Sequence, residues 1–412
     1  MDGAGGACDG DPTMTIQPGP ITQAPAVPGQ PMLRWSSRAK SVDAVAAELG
    51  KIWSSISLTA PGQDGQPERR VAARSSVMNL VVIAGRGEMG ERAASIVEGL
   101  AGRHPSRTLL VVPADPDGPP WLDAQVQAHC VLPSENAPET CSELVYLTCG
   151  GESAQHMAGL VTPLLIHDLP VTIWWPNEPR FESGASTELL GLADRILVDG
   201  SGWSGDGLAR LHTMCGLPAR FQVEIADFAL LRQARWREAV ASTFDRPAIL
   251  PYLAHLDHIE IHYSAKTGTP GASNVVRPLY HAAWLGARLG MTVEAPMRPG
   301  TEVWSGYEAV LRYGRRRVPV HLQPVESASP SGTTLALELH AMRGRSQLWV
   351  EVTAYAEGVV VHASLDSKPM PERRFLAPRK REPDLLAETI ETAGRDALTG
   401  EVLAMSARLL ER

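Results

Sequence analysis

The chain has 412 residues, 44% of them hydrophobic and 20% charged, a globular composition with enough length for about two or three domains. A net charge of −8 and a pI near 5.9 exclude an overall basic footprint for nucleic acid or an anionic membrane. Mean hydropathy is −0.10, and no apolar run approaches the roughly 18 residues of a transmembrane helix. The opening MDGAGGACDGDP has neither the basic nor the apolar stretch of a secretory leader, so a cytoplasmic protein is expected. Cys8, Cys130, Cys141, Cys149 and Cys215 form no C-x-x-C pair. A disulfide framework or a zinc ribbon is not expected; Cys130, Cys141 and Cys149 sit in strand-like contexts and read as small buried hydrophobes, with a redox-responsive thiol pair as the alternative.

Residues 1–35 hold twelve Gly and Pro and read as a disordered arm. Val42, Val45, Leu49, Ile52 and Ile56 recur at helical steps, and 61–69 reads as a polar loop. Val77 to Ala84 is a strand buried on both faces. Glu91 to Ala101 is a helix, Thr108 to Val112 a strand, and 122–132 and 142–148 further strands. Residues 155–165 read as a helix, 170–175 as a strand, 187–192 as a helix, 195–198 as a strand and 207–214 as a helix. This alternation predicts a Rossmann-like α/β domain over 36–220, a mostly parallel sheet with helices on both faces. A bridging helical segment fills 221–250. An α+β domain follows over 251–412: a strand at 255–263, a helix at 274–289, five strands between 309 and 363 in an antiparallel meander, and two closing helices.

Gly85-Arg86-Gly87-Glu88-Met89-Gly90 is a G-x-G-x-x-G between a strand and a helix, the setting of a dinucleotide-binding turn. Against that reading, Glu88 and Glu91 put negative charge where a pyrophosphate would sit, and the next strand does not end on an acid at the usual distance. Ser37-Arg38-Ala39-Lys40, Ser134-Glu135-Asn136 and Lys266-Thr267-Gly268 echo serine acyl-enzyme motifs, but Ser37 lies in a polar entry segment. His258, Glu260 and His262 share a strand face; the two histidines stand about 13 Å apart along a strand, too far for one ion. No metal site is expected, and no nucleophile, base and orienter occur together, so no catalytic residue is assigned. The arginine-rich runs 315–317, 373–374 and 379–381 lack interleaved aromatics for base stacking and read as solvated faces or a docking patch for an acidic partner. Trp174 and Trp175 end a buried strand, pointing to opposite faces, and serve core packing or binding.

Several segments together resemble the glucose-6-phosphate dehydrogenase assembly proteins, the OpcA family: Arg74 to Val82, Arg103-His104-Pro105-Ser106-Arg107, Pro170 to Pro176, Ile225-Ala226-Asp227-Phe228, Arg235-Trp236-Arg237-Glu238 and Phe244-Asp245. The likeness runs from about residue 40 onward. It implies a protein without a known active site or cofactor that promotes assembly or activation of glucose-6-phosphate dehydrogenase, the entry enzyme of the oxidative pentose phosphate pathway. Trp174, Trp175, Trp236 and Arg237 are the expected partner contacts. The alternative is a nucleotide- or NAD(P)-binding oxidoreductase using Gly85, Gly87 and Gly90.

Overall fold

The computed structural model of the chain describes residues 19–20, 29–55, 57–61, 67–71, 73–74, 76–100, 104–132, 134, 140–266, 272–301, 306–392 and 396–411. After β1 (Pro31–Ala39) and α1 (Val42–Ser55), the chain runs through β2 (Asn79–Ile83), α2 (Glu88–Leu100), β3 (Arg107–Pro113), β4 (Trp121–Val131) and β5 (Thr140–Gly150). Next come β6 (Val171–Trp174), α3 (Gly184–Leu190), β7 (Arg195–Val198), α4 (Leu208–Phe221) and β8 (Glu224–Asp227). The strands lie in the order β1-β4-β5-β3-β2-β6-β7-β8. From β5 to β8 every neighbouring pair is parallel, whereas β4 and β1 add as antiparallel strands at one side. Strand order reverses beside β2, between β3 and β6, where open α/β sheets bind ligands.

The buried run of β2 explains the layering. Leu80 and Val82 face one layer, and Val81 and Ile83 the other, because successive strand residues alternate sides. An ion pair fixes the opposite end of the sheet. Fully buried Glu143 accepts from Arg107 Nε at 2.5 Å and from Trp53 Nε1, and Arg107 Nη1 donates to the Leu164 carbonyl at 2.8 Å.

Several elements differ from the sequence reading. β1 begins inside the segment expected to be a disordered arm. Ser57–Pro61 and Pro67–Val71 pair as antiparallel strands across the expected polar loop. The expected helix over 155–165 is three short pieces, Glu152–Gln155, Met157–Val161 and the 3-10 turn Thr162–Leu164, broken where His156 leaves helical backbone angles and with Pro163 opening the last. β8 is a four-residue strand inside the expected bridging segment. Cys130 and Cys141, read first as buried hydrophobes with a thiol pair as the alternative, face each other across β4 and β5 and form a disulfide; strand register brought together two residues that sequence spacing did not pair. Cys149 is buried and Cys215 half-buried, both free, and Cys8 lies outside the described residues.

The chain continues through α5 (Ala234–Phe244), β9 (Leu256–Ala265), α6 (Val276–Arg288), β10 (Thr292–Pro299), β11 (Tyr307–Tyr313), β12 (Arg316–Glu326), β13 (Thr334–Arg343), β14 (Ser346–Tyr355) and β15 (Gly358–Leu365). The second sheet has the order β10-β11-β12-β9-β13-β14-β15. It is not a simple meander. β9 sits in the middle, parallel to β12 and antiparallel to β13. The crossover through α6 lays three strands on one side of β9 before the chain returns to the other. Helix α6 is buried along nearly its whole length, from Pro278 to Gly286, as a helix packed on several sides must be.

The closing helices are α7 (Glu382–Glu391) and α8 (Ala397–Leu410). Helix α8 packs on α6 and α4. Helix α7, expected in the second domain, returns to the first sheet. Leu385 and Leu386 share a core cluster with Leu80, Val82, Trp174 and α2, and Arg195 Nη1 donates to the carbonyls of Thr389 and Thr392, both at 3.0 Å.

This layering yields a stability prediction. Trp174 is fully buried beneath α7, so Trp174→Ala is expected to cost about 3–5 kcal/mol and Leu386→Ala about 2–5 kcal/mol. Urea unfolding of each variant measures the loss; a cost near zero for Leu386→Ala would mean that α7 does not seal the sheet.

Candidate functional site at the carboxyl edge of the parallel sheet

The glycine turn follows β2 and opens α2. Gly87 has φ +66°, a left-handed backbone that favours glycine. A Cβ on Gly90 would stand 2.9 Å from Tyr146 Oη and 3.3 Å from Val112, so this glycine lets α2 press against the sheet. Gly85 has only Met89 within ordinary contact range. The turn therefore has structural reasons for two of its glycines. The surrounding groups do not fit a dinucleotide. Glu88 and Glu91 occupy the first turn of α2, where a pyrophosphate needs positive potential. Burial, and then the charge of Glu91, push the Tyr146 phenol above its ordinary range. Asp115, beyond β3, has Oδ1 turned to the backbone N–H of Asp117 at 3.0 Å.

Beside the turn lies a cavity of about 570 Å³ whose walls include Gly85, Ala114, His156, Trp175 and Asn177. Trp175 is 2% exposed. Its ring meets Phe181 edge-on at 6.0 Å, and Phe181 meets Trp203 at 6.4 Å. Trp174 points to the opposite layer and is completely buried, and Trp236 is 9% exposed, its ring tilted at 58° against His281 with centroids 5.2 Å apart. Arg237 Nη1 donates to the Leu230 carbonyl at 2.9 Å. Of the four expected partner contacts, the three tryptophans are buried and Arg237 is half-buried. Tryptophan at a strand end reads alike whether it anchors a partner or fills a core; Trp174 and Trp175 pack in the core, as does Trp236 on α5.

At the far end of the same edge the two sheets are joined. Asp227, the last residue of β8, is fully buried. Its Oδ1 accepts from the backbone N–H groups of Gly200 (2.9 Å) and Ala229 (2.8 Å), and its Oδ2 from Tyr280 of α6 at 2.7 Å. Burial, then the charge of Asp199, push its carboxyl up to about 6, against the pull of those hydrogen bonds. A Cβ on Gly200 would lie 2.6 Å from Asp227 Oδ2, so only glycine fits there. Asn274 Nδ2 donates to the carbonyls of Gly200 (2.9 Å) and Trp203 (3.0 Å), and Tyr307 donates to Asp206 at 2.7 Å. His281, fully buried on α6, is pushed down to about 3 by burial, then by Arg237 and Arg277. Sequence reading noticed Asp227 only inside a family segment and missed Asn274, Tyr280 and His281. Their partners lie tens of residues away, so spacing carries no signal of them.

The remaining sequence motifs are dispersed. Ser37 is buried on β1, a strand and not a helix start, and accepts from Trp35 Nε1 at 3.3 Å, while Lys40 is exposed. Thr267, Gly268, Glu135 and Asn136 lie outside the described residues. Glu260 lies 3.4 Å from His258 and 3.2 Å from His262, which also reaches Glu338 at 3.2 Å. Among the described residues no group of three His, Cys, Asp or Glu is placed to hold a metal, and no helix is long and apolar enough to cross a membrane.

The junction has a pH signature. A histidine lowered from 6.5 to about 3 supplies stability above pH 6.5 that is lost as pH falls toward 3; a carboxyl raised from 3.8 to about 6 acts oppositely, its contribution being lost as pH rises through about 6. His281→Gln should therefore flatten the acid loss of stability below pH 6.5, and Asp227→Asn should steepen it between about pH 4 and 6. Urea midpoints over a pH series measure both slopes. At pH 7, Asp227→Ala strands three donors and should cost roughly 3 kcal/mol or more.

Solved structures with related architecture include KijD10, a 3-ketoreductase from Actinomadura kijaniata (TM-score 0.44, 11% identity, covering 81% of this chain and 95% of that one), and the transcriptional regulator Gal80p from Kluyveromyces lactis (TM-score 0.41, 8% identity, 82% and 88%). Likeness at this level carries no chemistry to this chain. Curated relatives bear the name "Putative OxPP cycle protein OpcA". The one from Synechocystis is 28% identical over 211 residues, covering 50% of this chain and 42% of the relative. The one from Nostoc punctiforme is 22% identical over 329 residues, covering 77% and 67%. The match thus spans less than half of the Synechocystis protein. The model described as glucose-6-phosphate dehydrogenase subunit N-terminal domain matches residues 97–214, and the corresponding C-terminal domain model matches 223–403. With both domains matched in order, the chain belongs to the glucose-6-phosphate dehydrogenase assembly protein, or OpcA, family.

Proposed function

We propose that this protein is a non-catalytic partner of glucose-6-phosphate dehydrogenase, one that binds the enzyme and favours its active oligomer, so supporting NADPH supply through the oxidative pentose phosphate pathway. The observation that carries this reading is the ordered match of both family domains across the two sheets. The site geometry supports it from the other side. The glycine turn faces carboxylates, and its glycines are explained by backbone and packing. The physical mechanism is differential binding: a protein that docks on one oligomer more tightly than on the others raises that oligomer's population by its differential affinity. The same reading places the protein in the cytoplasm with its partner. The contact surface is composed of residues other than the three buried tryptophans.

An activity titration tests this. Purified cognate dehydrogenase is assayed for NADP reduction against increasing amounts of the protein, with size exclusion and light scattering on the same mixtures. The expected result is a co-eluting complex with a shifted oligomer distribution and a lowered substrate requirement or raised turnover. Unchanged oligomers and unchanged kinetics at saturating ratio would overturn the proposal.

A further inference from the structure

A second cavity, also of about 570 Å³, opens beyond the carboxyl ends of β6 and β7. Its walls come from five segments distant in sequence: Asn177 and Glu178 after β6, Asp199 and Trp203 after β7, Arg92 from α2, Arg232 ahead of α5, and Arg379-Lys380-Arg381 leading into Glu382 of α7. The 379–381 run, which reads in sequence as a solvated face or a docking patch, is thus folded against the functional edge of the parallel sheet.

Charge in this cavity is unbalanced. Five cationic side chains line it with three carboxylates, Glu178, Asp199 and Glu382. Asp199 pairs with Arg232 at 2.6 Å, and Glu382 pairs with Arg92. Glu178 is drawn away: it pairs with Arg210 outside the cavity and accepts from Ser204 N at 3.0 Å and Ser204 Oγ at 2.8 Å. Lys380 and Arg381 reach outward to Glu388 and Asp384. Arg379 is exposed and has no ion pair among the described residues. Behind the wall Arg277 donates to Ser201 Oγ at 2.9 Å, the atom that Arg232 approaches at 3.4 Å, and the buried Nε of Arg277 has no hydrogen-bond partner among the described residues. Burial, then the charge of Arg232, lowers the pKa of Arg277, with Arg379 adding to that effect and Asp199 and Asp227 opposing it. Arg232, Arg277 and Arg379 thus act on one another around Asp199, with Asp227 behind, three cations to two carboxylates. The indole N–H of Trp203, 4% exposed and in the same wall, also lacks an acceptor.

Asp199 offsets only part of this positive charge, and a further bound anion would offset the rest. A guanidinium fork matches two phosphate oxygens at once, and even a paired arginine keeps unused N–H donors. Asp199 in the wall can accept from a hydroxyl group of the same ligand. We propose that this cavity binds a small phosphorylated metabolite, a sugar phosphate or a nucleotide, with its phosphate held by Arg379, Arg232 and Arg92 and a hydroxyl turned to Asp199. The site adjoins the cavity beside the glycine turn, sharing Asn177 and Glu178 with it, and it does not depend on the partner reading, since binding is measured on this chain alone.

Calorimetry of the full chain in low salt tests it, with a hexose 6-phosphate, adenosine monophosphate and inorganic phosphate as probes. The expected result is one site per chain for the hexose phosphate or the nucleotide, tighter than for inorganic phosphate; which of the two binds tells the sources apart. Arg379→Gln, an exposed change that leaves the fold intact by melting, should weaken binding about tenfold, and Arg232→Gln by at least as much. Arg345→Gln, an exposed arginine elsewhere, should leave it unchanged. No binding of either organic phosphate, binding of inorganic phosphate alone, or equal weakening by Arg345→Gln would overturn the proposal.

Discussion

Asp227 accepts three hydrogen bonds from three segments: the loop after β7, the turn after β8 and the helix α6. Removing a carboxylate from water is costly, and the cost is offset only when its oxygens find donors. The donors here belong to both halves of the molecule, so satisfying this one carboxylate ties the first sheet to α6. The close approach at Gly200 and the bridging amide of Asn274 follow from that requirement. The edge where an open α/β sheet would admit a ligand is therefore partly occupied by the protein's own joint.

That occupation frames the functional reading. The carboxyl edge contains three neighbouring environments: the glycine turn with its acids, the sealed junction, and the arginine-lined cavity. The first has the shape of a nucleotide turn with the wrong charge. The second is structural. The third has an excess of positive charge beyond the ends of β6 and β7, one strand over from the reversal of strand order. A family member acting through a partner enzyme needs no chemistry at this edge, but it can still use it to sense a small molecule.

Much of the first domain was legible from residues. The unbroken run Leu80 to Ile83 announces a parallel strand buried on both faces, and the steps of Ala93, Ile96, Val97 and Leu100 announce the helix that covers it. The insertion of β9 between β12 and β13 was not legible, because strand spacing shows length and not pairing partner. The disulfide was missed for the same reason: Cys130 and Cys141 meet through register. The tryptophans were legible as important but not as core or surface, since apolar mass at a strand end suits either. The joint at Asp227 and the arginine cavity combine residues from distant segments, and no local pattern encodes such a meeting.

The placement of α7 has a consequence for how the chain is made. One face of the first sheet, with Trp174, Leu80 and Val82, is covered by α2 and by α7, whose residues are 382–391. During synthesis the sheet's strands are complete by Asp227, long before that helix leaves the ribosome. Through that interval an apolar surface centred on a tryptophan stands open to solvent. Late closure of this kind leaves the part of the face that α2 does not cover open to aggregation, and a product truncated before 382 keeps it exposed.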